Sequence, residues 1–200
     1  MIIKDLTLGK KEYTSSVWHV SGEFHSFSDV NTLIDTGYDK IVLSHLEQMK
    51  PGIGKKIIDK IVLTHSHFDH TQNVTEILKR FPVPVYAHPK NDTPGIIPVA
   101  NHEKIRIADQ VGEVIYTPGH SEDSISILCP DDGILFSGDM PYRIFSDSDE
   151  YHSDFIEALE YICSHDIRVI YPGHGDPITD YPQHLLEDSL LTIKKSRDKS

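Results

Sequence analysis

The chain is poor in cysteine and has no long hydrophobic run. Cys129 and Cys163 are the two cysteines among 200 residues, and each lies in an apolar segment, which is typical of buried thiols in a reducing compartment. No apolar stretch approaches the length of a bilayer span, and residues 1–6 lack the apolar core of a signal peptide. We therefore expect a cytoplasmic protein with no membrane partner.

Positive charge is also scarce. Lys and Arg number 19 against 31 Asp and Glu, which gives a net charge of -12. Binding to a nucleic-acid backbone requires clustered Lys and Arg, so we expect no nucleic-acid partner. No basic patch is visible, because Lys55, Lys56 and Lys60 resemble the solvated face of one short helical stretch. Length and composition predict one globular domain spanning residues 1–200.

Histidine, in contrast, is abundant and locally concentrated. Residues 65–70 read His-Ser-His-Phe-Asp-His and follow the apolar run 61–63, which predicts a buried strand. The carboxyl ends of strands are where α/β proteins build their sites. Imidazole and carboxylate are ligands for zinc, iron and manganese. This pattern favours a metal site over a polar loop that is merely rich in histidine.

Three later segments repeat the arrangement. In each, an apolar strand ends in a glycine turn that presents His120, Asp139 or His174. Glycine allows the chain to pass close to a bound ion. Alone, each Pro-Gly-His motif is equally consistent with a plain turn, and Ser-Gly-Asp is more typical of a simple Asx turn. Together with residues 65–70 they supply five His and two Asp, enough for two adjacent metal ions.

Hydrophobic periodicity predicts an alternation of strands and helices, and hence a layered α/β or α+β domain. Helices are predicted over residues 41–50, 73–81, 154–164 and 183–195. Strands are predicted over residues 17–20, 30–35, 57–64, 85–87, 104–107, 111–117, 124–129, 133–137 and 169–171. Residues 88–102, rich in Pro, Gly, Asn and Asp, are expected to form a long loop.

The ordered motifs resemble those of the metallo-β-lactamase superfamily of binuclear metallo-hydrolases. The resemblance rests on Asp35 in Ile-Asp-Thr-Gly, residues 65–70, His120, Asp139 and His174, and covers roughly residues 15–180. It implies a four-layer αβ/βα sandwich in which two mixed sheets face each other and the metals lie at one edge.

The resemblance also implies the ligand set. His65, His67 and His120 would hold the first metal. Asp69, His70 and His174 would hold the second. Asp139 would bridge both ions, and Asp35 would support the ligands from behind. The expected cofactors are two divalent ions, zinc first, with iron or manganese as alternatives.

A hydroxide shared by two ions about 3.5 Å apart would then attack an ester, thioester, lactone or related bond of a small-molecule substrate. Asp69, beside the nucleophile, would act as the catalytic proton acceptor and donor. No serine or cysteine nucleophile is required.

Several subfamilies remain open. Secreted β-lactamases of this fold carry Cys where this chain has Asp139, which disfavours antibiotic hydrolysis. Glyoxalase II shares the ligand set but adds a helical domain, whereas 26 residues follow His174 here. Acyl-homoserine lactonases use a tyrosine near the bridging Asp; Tyr142 would either serve similarly or pack within its loop. Persulfide dioxygenases bind one iron, here through His65, His120 and Asp139. A non-catalytic metal-binding member is the third class.

Substrate contacts have no motif behind them. Loops 22–29, 88–102 and 140–152 are expected to surround the mouth of the site, and its lining is expected to include Phe24, Phe27, Tyr142, Arg143 and His152. The histidines outside the ligand set are interpreted as surface or satisfied core residues: His19, His25, His45, His88, His102, His152, His165 and His184. Substrate identity and oligomeric state stay open.

Overall fold

A computed structural model describes residues 1–23, 26, 28–52, 54–145 and 151–197. The predicted mouth residues Phe24 and Phe27, and the predicted surface residue His25, lie outside the described residues.

The strands form two sheets. The first has six strands in the order β1-β2-β3-β4-β5-β6: Ile2–Asp5 (β1), Trp18–Ser21 (β2), Thr32–Ile34 (β3), Lys60–Val62 (β4), Val85–Ala87 (β5) and Ile97–Pro98 (β6). The second has five strands in the order β11-β10-β9-β8-β7: Lys104–Ile107 (β7), Gln110–Tyr116 (β8), Ile125–Cys129 (β9), Ile134–Gly138 (β10) and Val169–Pro172 (β11). Both sheets mix parallel and antiparallel pairs.

Helices cover the outer faces of the sheets. They are Ile41–Gln48 (α1), Phe68–Thr71 (α2), Val74–Arg80 (α3), Ser153–Cys163 (α4) and Pro182–Arg197 (α5). None of the helices in the described ranges combines the length and the apolar character that a bilayer crossing requires.

Alternation along β4 shows how the layers form. Val62 belongs to the core between the two sheets, whereas Ile61 and Leu63 belong to the core under α1 and α3. Successive strand side chains point to opposite faces, so a continuous apolar run buries both faces of this strand. A third core lies under α4 and α5. The predicted four-layer αβ/βα sandwich is confirmed.

Parallel pairing sets the position of the site. Strands β3, β4 and β5 are mutually parallel, as are β10 and β11. The carboxyl ends within each parallel group therefore meet at one edge.

The elements differ from the prediction in a few places. The sequence does not predict strand β1, the single-turn helix α2 or the short strand β6, which lies within the expected loop 88–102. The expected helical stretch over Lys55, Lys56 and Lys60 is wrong: the described residues there form no helix, and Lys60 begins β4. Two of these lysines bind backbone carbonyls instead of facing only solvent: Lys55 Nζ donates to the Asp29 carbonyl and Lys60 Nζ to the Arg106 carbonyl.

Candidate metal centre

All seven predicted ligands converge at one edge of the sandwich. The segment after β4 supplies His65 and leads into α2, which carries Asp69 and His70. His120 follows β8, Asp139 follows β10 and His174 follows β11. Each side chain is thus presented just beyond a strand end, where the flanking sheet fixes its position.

Three imidazoles form the first group, which the family resemblance implies for the first metal. His67 Nδ1 lies 3.0 Å from His65 Nε2 and 2.9 Å from His120 Nε2. His65 is buried, while the other two rings are exposed. Three nitrogen atoms that converge in this way on one point suit a tetrahedral cation with one position left for another ligand.

The second group contains Asp69, His70 and His174. The Oδ2 atom of Asp69 lies 3.1 Å from His174 Nε2 and 3.7 Å from His70 Nε2. Within each group, all of the potential ligand atoms lie within 4.8 Å of one another.

Asp139 lies between the two groups. Its Oδ2 atom is 3.3 Å from His120 Nε2 and 3.4 Å from His174 Nε2. Its Oδ1 atom is 3.5 Å from His70 Nε2. Because its carboxylate has two oxygens, Asp139 faces both groups at once.

Two buried atoms of this centre test whether a metal fits. His70 Nε2 and Asp139 Oδ1 find no hydrogen-bond partner among the described residues. Buried polar atoms are normally satisfied, and these two lie 3.5 Å apart, at the long limit of a hydrogen bond. A divalent cation satisfies both, so the residues fit the metals that the sequence implies.

Asp35 orients the ligands from behind. It is 2% exposed and accepts hydrogen bonds from the Thr64 amide (2.8 Å), the Thr64 hydroxyl (2.8 Å) and His70 Nδ1 (2.8 Å). Its φ of 59° lies in the left-handed region, a conformation that is sparsely populated outside glycine. Because Nδ1 of His70 donates to Asp35, Nε2 is the ring nitrogen that faces the Asp69 and Asp139 carboxylates.

The electrostatics of the rings follow from burial and from these carboxylates. Burial, aided by the neighbouring His70, lowers the pKa of His65 to about 3. Burial likewise lowers the pKa of His120. Both rings are therefore neutral, the form that binds metal.

His70 behaves in the opposite way. Burial opposes its charge, but the Asp35 and Asp139 carboxylates outweigh it and raise the pKa of His70 to about 10. Burial also opposes ionisation of Asp139, yet His174 and His70 hold the pKa of this carboxyl below its usual range. In the metal-free chain, the His70 proton supplies the positive charge that a cation would otherwise bring.

Gly173 allows two strand ends to approach closely. A Cβ atom at this position would run into the Asp139 carboxylate, the Gly138 backbone and the His70 ring. Any larger residue would push β10 and β11 apart at the point where Asp139 and His174 emerge.

Tyr13 is a site residue that sequence reasoning missed. Its ring stacks on His174, with centroids 5.2 Å apart and planes at 21°, and its hydroxyl lies 3.4 Å from His174 Nε2. The loop that carries it is fixed to the site, since the Ser15 amide donates to the Asp69 carbonyl and the Ser16 amide to the Gly173 carbonyl. No sequence motif marks Tyr13, because these contacts join residues far apart in the chain.

Tyr142 is placed differently from Tyr13. It packs against the core under α4 and α5, and its carbonyl accepts the Ser189 hydroxyl. The structure therefore supports the packing alternative for Tyr142.

A cavity of about 290 Å³ opens beside the ligands. Its wall includes His152, as predicted, but neither Tyr142 nor Arg143; the lining residues are Gly119, His120, Asp139, Pro141, Tyr151 and His152. Phe68, which lies between His67 and Asp69 in the chain, and Tyr38 are exposed and meet edge to face with ring centroids 5.7 Å apart.

Comparison with known proteins identifies the family. The sequence profile of the metallo-beta-lactamase superfamily matches residues 28–174. The chain belongs to the metallo-β-lactamase superfamily. The resemblance drawn from the seven ligand positions is thereby confirmed at the level of family and fold.

Two individual relatives each match part of the chain. The atrochrysone carboxyl ACP thioesterase of Aspergillus fumigatus is 31% identical over 146 residues, which cover 70% of this chain and 33% of that protein. The beta-lactamase-like protein 2 homolog of Drosophila melanogaster is 30% identical over 168 residues, which cover 74% of this chain and 56% of that protein. The chain thus spans between about a third and somewhat over half of the length of these two relatives.

Among solved structures, ETHE1 from Myxococcus xanthus superimposes with a TM-score of 0.69 at 19% identity, covering 100% of this chain and 92% of the other. Because the identity is this low, the match supports the fold alone.

Proposed function

We propose that this superfamily member is a hydrolase of small acyl thioesters that works with two divalent metal ions, preferentially zinc. The observation that carries the proposal is the pair of three-ligand groups on either side of Asp139. The thioester preference is supported by the thioesterase of Aspergillus fumigatus, whose similarity covers most of this chain.

We assign the candidate ligands to the two ions as the family resemblance implies. His65, His67 and His120 would hold one ion, and Asp69, His70 and His174 the other, with Asp139 between them. When bound, two such ions supply a water activated as a nucleophile near neutral pH and polarise the carbonyl that is attacked.

One ligand, Asp69, would also transfer a proton, and residues around the ligands would bind the substrate. Asp69 is 5% exposed, and its Oδ2 atom faces the interior of the cluster, where a carboxylate can take up the proton released by the attacking water. The Tyr13 hydroxyl stands at the rim of the second group and can donate a hydrogen bond to a substrate oxygen. The cavity beside His120 and the exposed rings of Tyr38 and Phe68 offer apolar surface to the acyl chain.

Metal content and substrate turnover test this function together. The purified protein should contain about two zinc or manganese ions per chain and hydrolyse acyl-coenzyme A and acyl-N-acetylcysteamine thioesters. His120→Ala and His174→Ala should each lose activity and about one metal ion. His184→Ala, a change at an exposed histidine of α5, is the matched control and should retain both.

Two results would overturn the proposal. One is full metal loading without turnover of any thioester in the panel. The other is one iron per chain together with oxygen uptake on glutathione persulfide, which would assign a dioxygenase that uses His65, His120 and Asp139.

A further inference from the structure

A second cavity lies on the outer face of the first sheet. It measures about 260 Å³, and three lysines, Lys4, Lys50 and Lys55, contribute to its wall together with His19, Ser21 and Asn31. We refer to it as the lysine cavity.

The lysine cavity is at the opposite end of the sheet from the metal centre. Asn31 directly precedes β3, and the first residue of β3 pairs with Lys60, the first residue of the parallel strand β4. The metal ligands, in contrast, follow the carboxyl end of β4. His19, in the middle of β2, faces away from the core between the sheets, which its neighbours Trp18 and Val20 enter.

Within the described part of the chain, no ion pair joins the lysines of the lysine cavity to a carboxylate. Lys4, Lys50 and Lys55 form no ion pair with any described residue, although Lys55 Nζ donates to the Asp29 carbonyl. The nearby carboxylates of Asp29 and Asp59 already accept backbone amides, those of Ser26 and Asn31. In a chain with a net charge of -12, three unpaired lysines around one concave surface form a local field that attracts anions.

The lysines attract an anion, whereas His19 calls for a hydrogen-bond donor. It is 3% exposed, and burial lowers its pKa, so the ring is neutral. Its Nε2 lies 2.8 Å from the Ile57 carbonyl; a carbonyl only accepts, so Nε2 carries the hydrogen and Nδ1 is left as an acceptor. Among the described residues Nδ1 finds no partner, and a buried acceptor of this kind calls for a donor.

We propose that the lysine cavity binds a small oxyanion that carries its own hydroxyl, with monohydrogen phosphate as the smallest such ligand. The lysines neutralise the anionic oxygens, and the ligand hydroxyl donates to His19 Nδ1. The buried Ser21 side chain lies in the same wall and provides a further hydrogen-bonding group. The site is separate from the metal centre and does not depend on the thioesterase proposal.

The hydroxyl requirement gives the proposal a sharp test. Sulfate has the same charge as monohydrogen phosphate and nearly the same size, but at neutral pH it carries no proton to donate. Phosphate should therefore bind more tightly than sulfate by roughly tenfold, the effect of one hydrogen bond to an otherwise unpaired buried acceptor. Malate should likewise bind better than succinate if a hydroxycarboxylate is the natural ligand.

The measurement is a ¹H–¹⁵N NMR titration of the metal-loaded protein with inorganic phosphate at pH 7.5. Saturable shifts are expected at the amides of His19, Ser21, Asn31 and Lys55. Shifts near residues 65–70 would report anion binding at the metals and are fitted separately. Saturation confined to the metal centre, or equal affinity for sulfate and phosphate, would overturn the proposal.

Matched charge variants complete the test. Lys4→Ala/Lys50→Ala should weaken phosphate binding at the lysine cavity by roughly tenfold or more, since two nearby charges are lost. Lys104→Ala/Lys195→Ala removes the same charge from exposed positions elsewhere and should leave the affinity unchanged. Equal weakening in both variants would mean that net charge alone attracts the anion, against the proposal. Thioester hydrolysis should be the same in all three proteins.

Discussion

The phenol ring of Tyr13 lies flat on the imidazole of His174, with the hydroxyl 3.4 Å from Nε2. A residue of the β1–β2 loop thereby reaches a ligand that follows the last strand of the second sheet. Because the ring is exposed, it is positioned to meet a substrate that approaches the second ligand group.

Tyr13→Phe tests this position. The variant keeps the stacking ring but loses the hydroxyl, so we expect metal content to stay unchanged and kcat/KM for a thioester to fall by about 10- to 100-fold, as for loss of a hydrogen-bond donor to a developing oxyanion. Steady-state kinetics with metal analysis measure both. The matched control is Tyr142→Phe, whose kcat/KM should stay within about twofold of the parent. If Tyr142→Phe lost activity and Tyr13→Phe did not, the substrate-binding hydroxyl would be that of Tyr142.

Asp35→Asn tests the support of the metal ligands. The amide is nearly the same size, but it is uncharged and one of its two polar ends is an NH2 donor. It therefore cannot accept hydrogen bonds from the Thr64 amide, the Thr64 hydroxyl and His70 together. Metal affinity should fall by about 10- to 100-fold, measured by competition with a chelator. Asp5→Asn, at a carboxylate of β1 that accepts from Thr7, should keep the parent affinity; equal effects in the two variants would argue against an orienting role for Asp35.

Gly173→Ala tests the close approach of β10 and β11. The added methyl would meet the Asp139 carboxylate and the Gly138 backbone, so we expect a loss of about 1–3 kcal/mol in unfolding free energy together with reduced metal content. Urea unfolding and metal analysis provide the measurements. Gly52→Ala, where the nearest atom lies 3.9 Å away in the flexible side chain of Lys55, should change neither.

The two thiols give a pH-dependent prediction. Burial raises the pKa of Cys129 to about 12 and that of Cys163 to about 11, against about 8.5 in an unfolded chain. Unfolded thiols ionise first as the pH rises, so the stability that these thiols contribute is intact below about pH 8.5 and declines above it.

Alkylation at pH 8 measures the same property. Iodoacetamide reacts with the thiolate, so both cysteines of the folded protein should be labelled at least about tenfold more slowly than in urea. Cys163→Ala separates the buried Cys129 from the half-buried Cys163. Labelling of the folded protein at the rate of a free thiol would contradict the burial of both groups.

The strands and the ligand positions could be predicted from the sequence because both are local signals. Val114 to Tyr116 and Ile134 to Phe136 are apolar runs that end in glycine turns, and the structure ends β8 and β10 there. The family and the four-layer fold follow from the order of these motifs. Whether the seven residues bind two metals stays a prediction.

Long-range contacts could not be predicted in the same way. Tyr13 meets His174 across 161 positions, and the lysine cavity joins Lys4 to Lys50 and Lys55, so neither leaves a pattern in any short window. His19 was interpreted as a surface or satisfied core histidine; it is buried and only half satisfied. A single unpaired nitrogen depends on the geometry of neighbouring elements, which the sequence does not reveal.

The hydrogen bonds of Ser15 and Ser16 have a mechanical consequence. The Ser15 amide donates to the carbonyl of Asp69, which follows β4 of the first sheet, and the Ser16 amide donates to the carbonyl of Gly173, which follows β11 of the second sheet. Trp18 Nε1, on the first sheet, donates a third bond to the Pro172 carbonyl of the second. The sheets cannot slide past each other without breaking one of these bonds. The placement of Tyr13 over His174 therefore depends on the relative alignment of the two sheets.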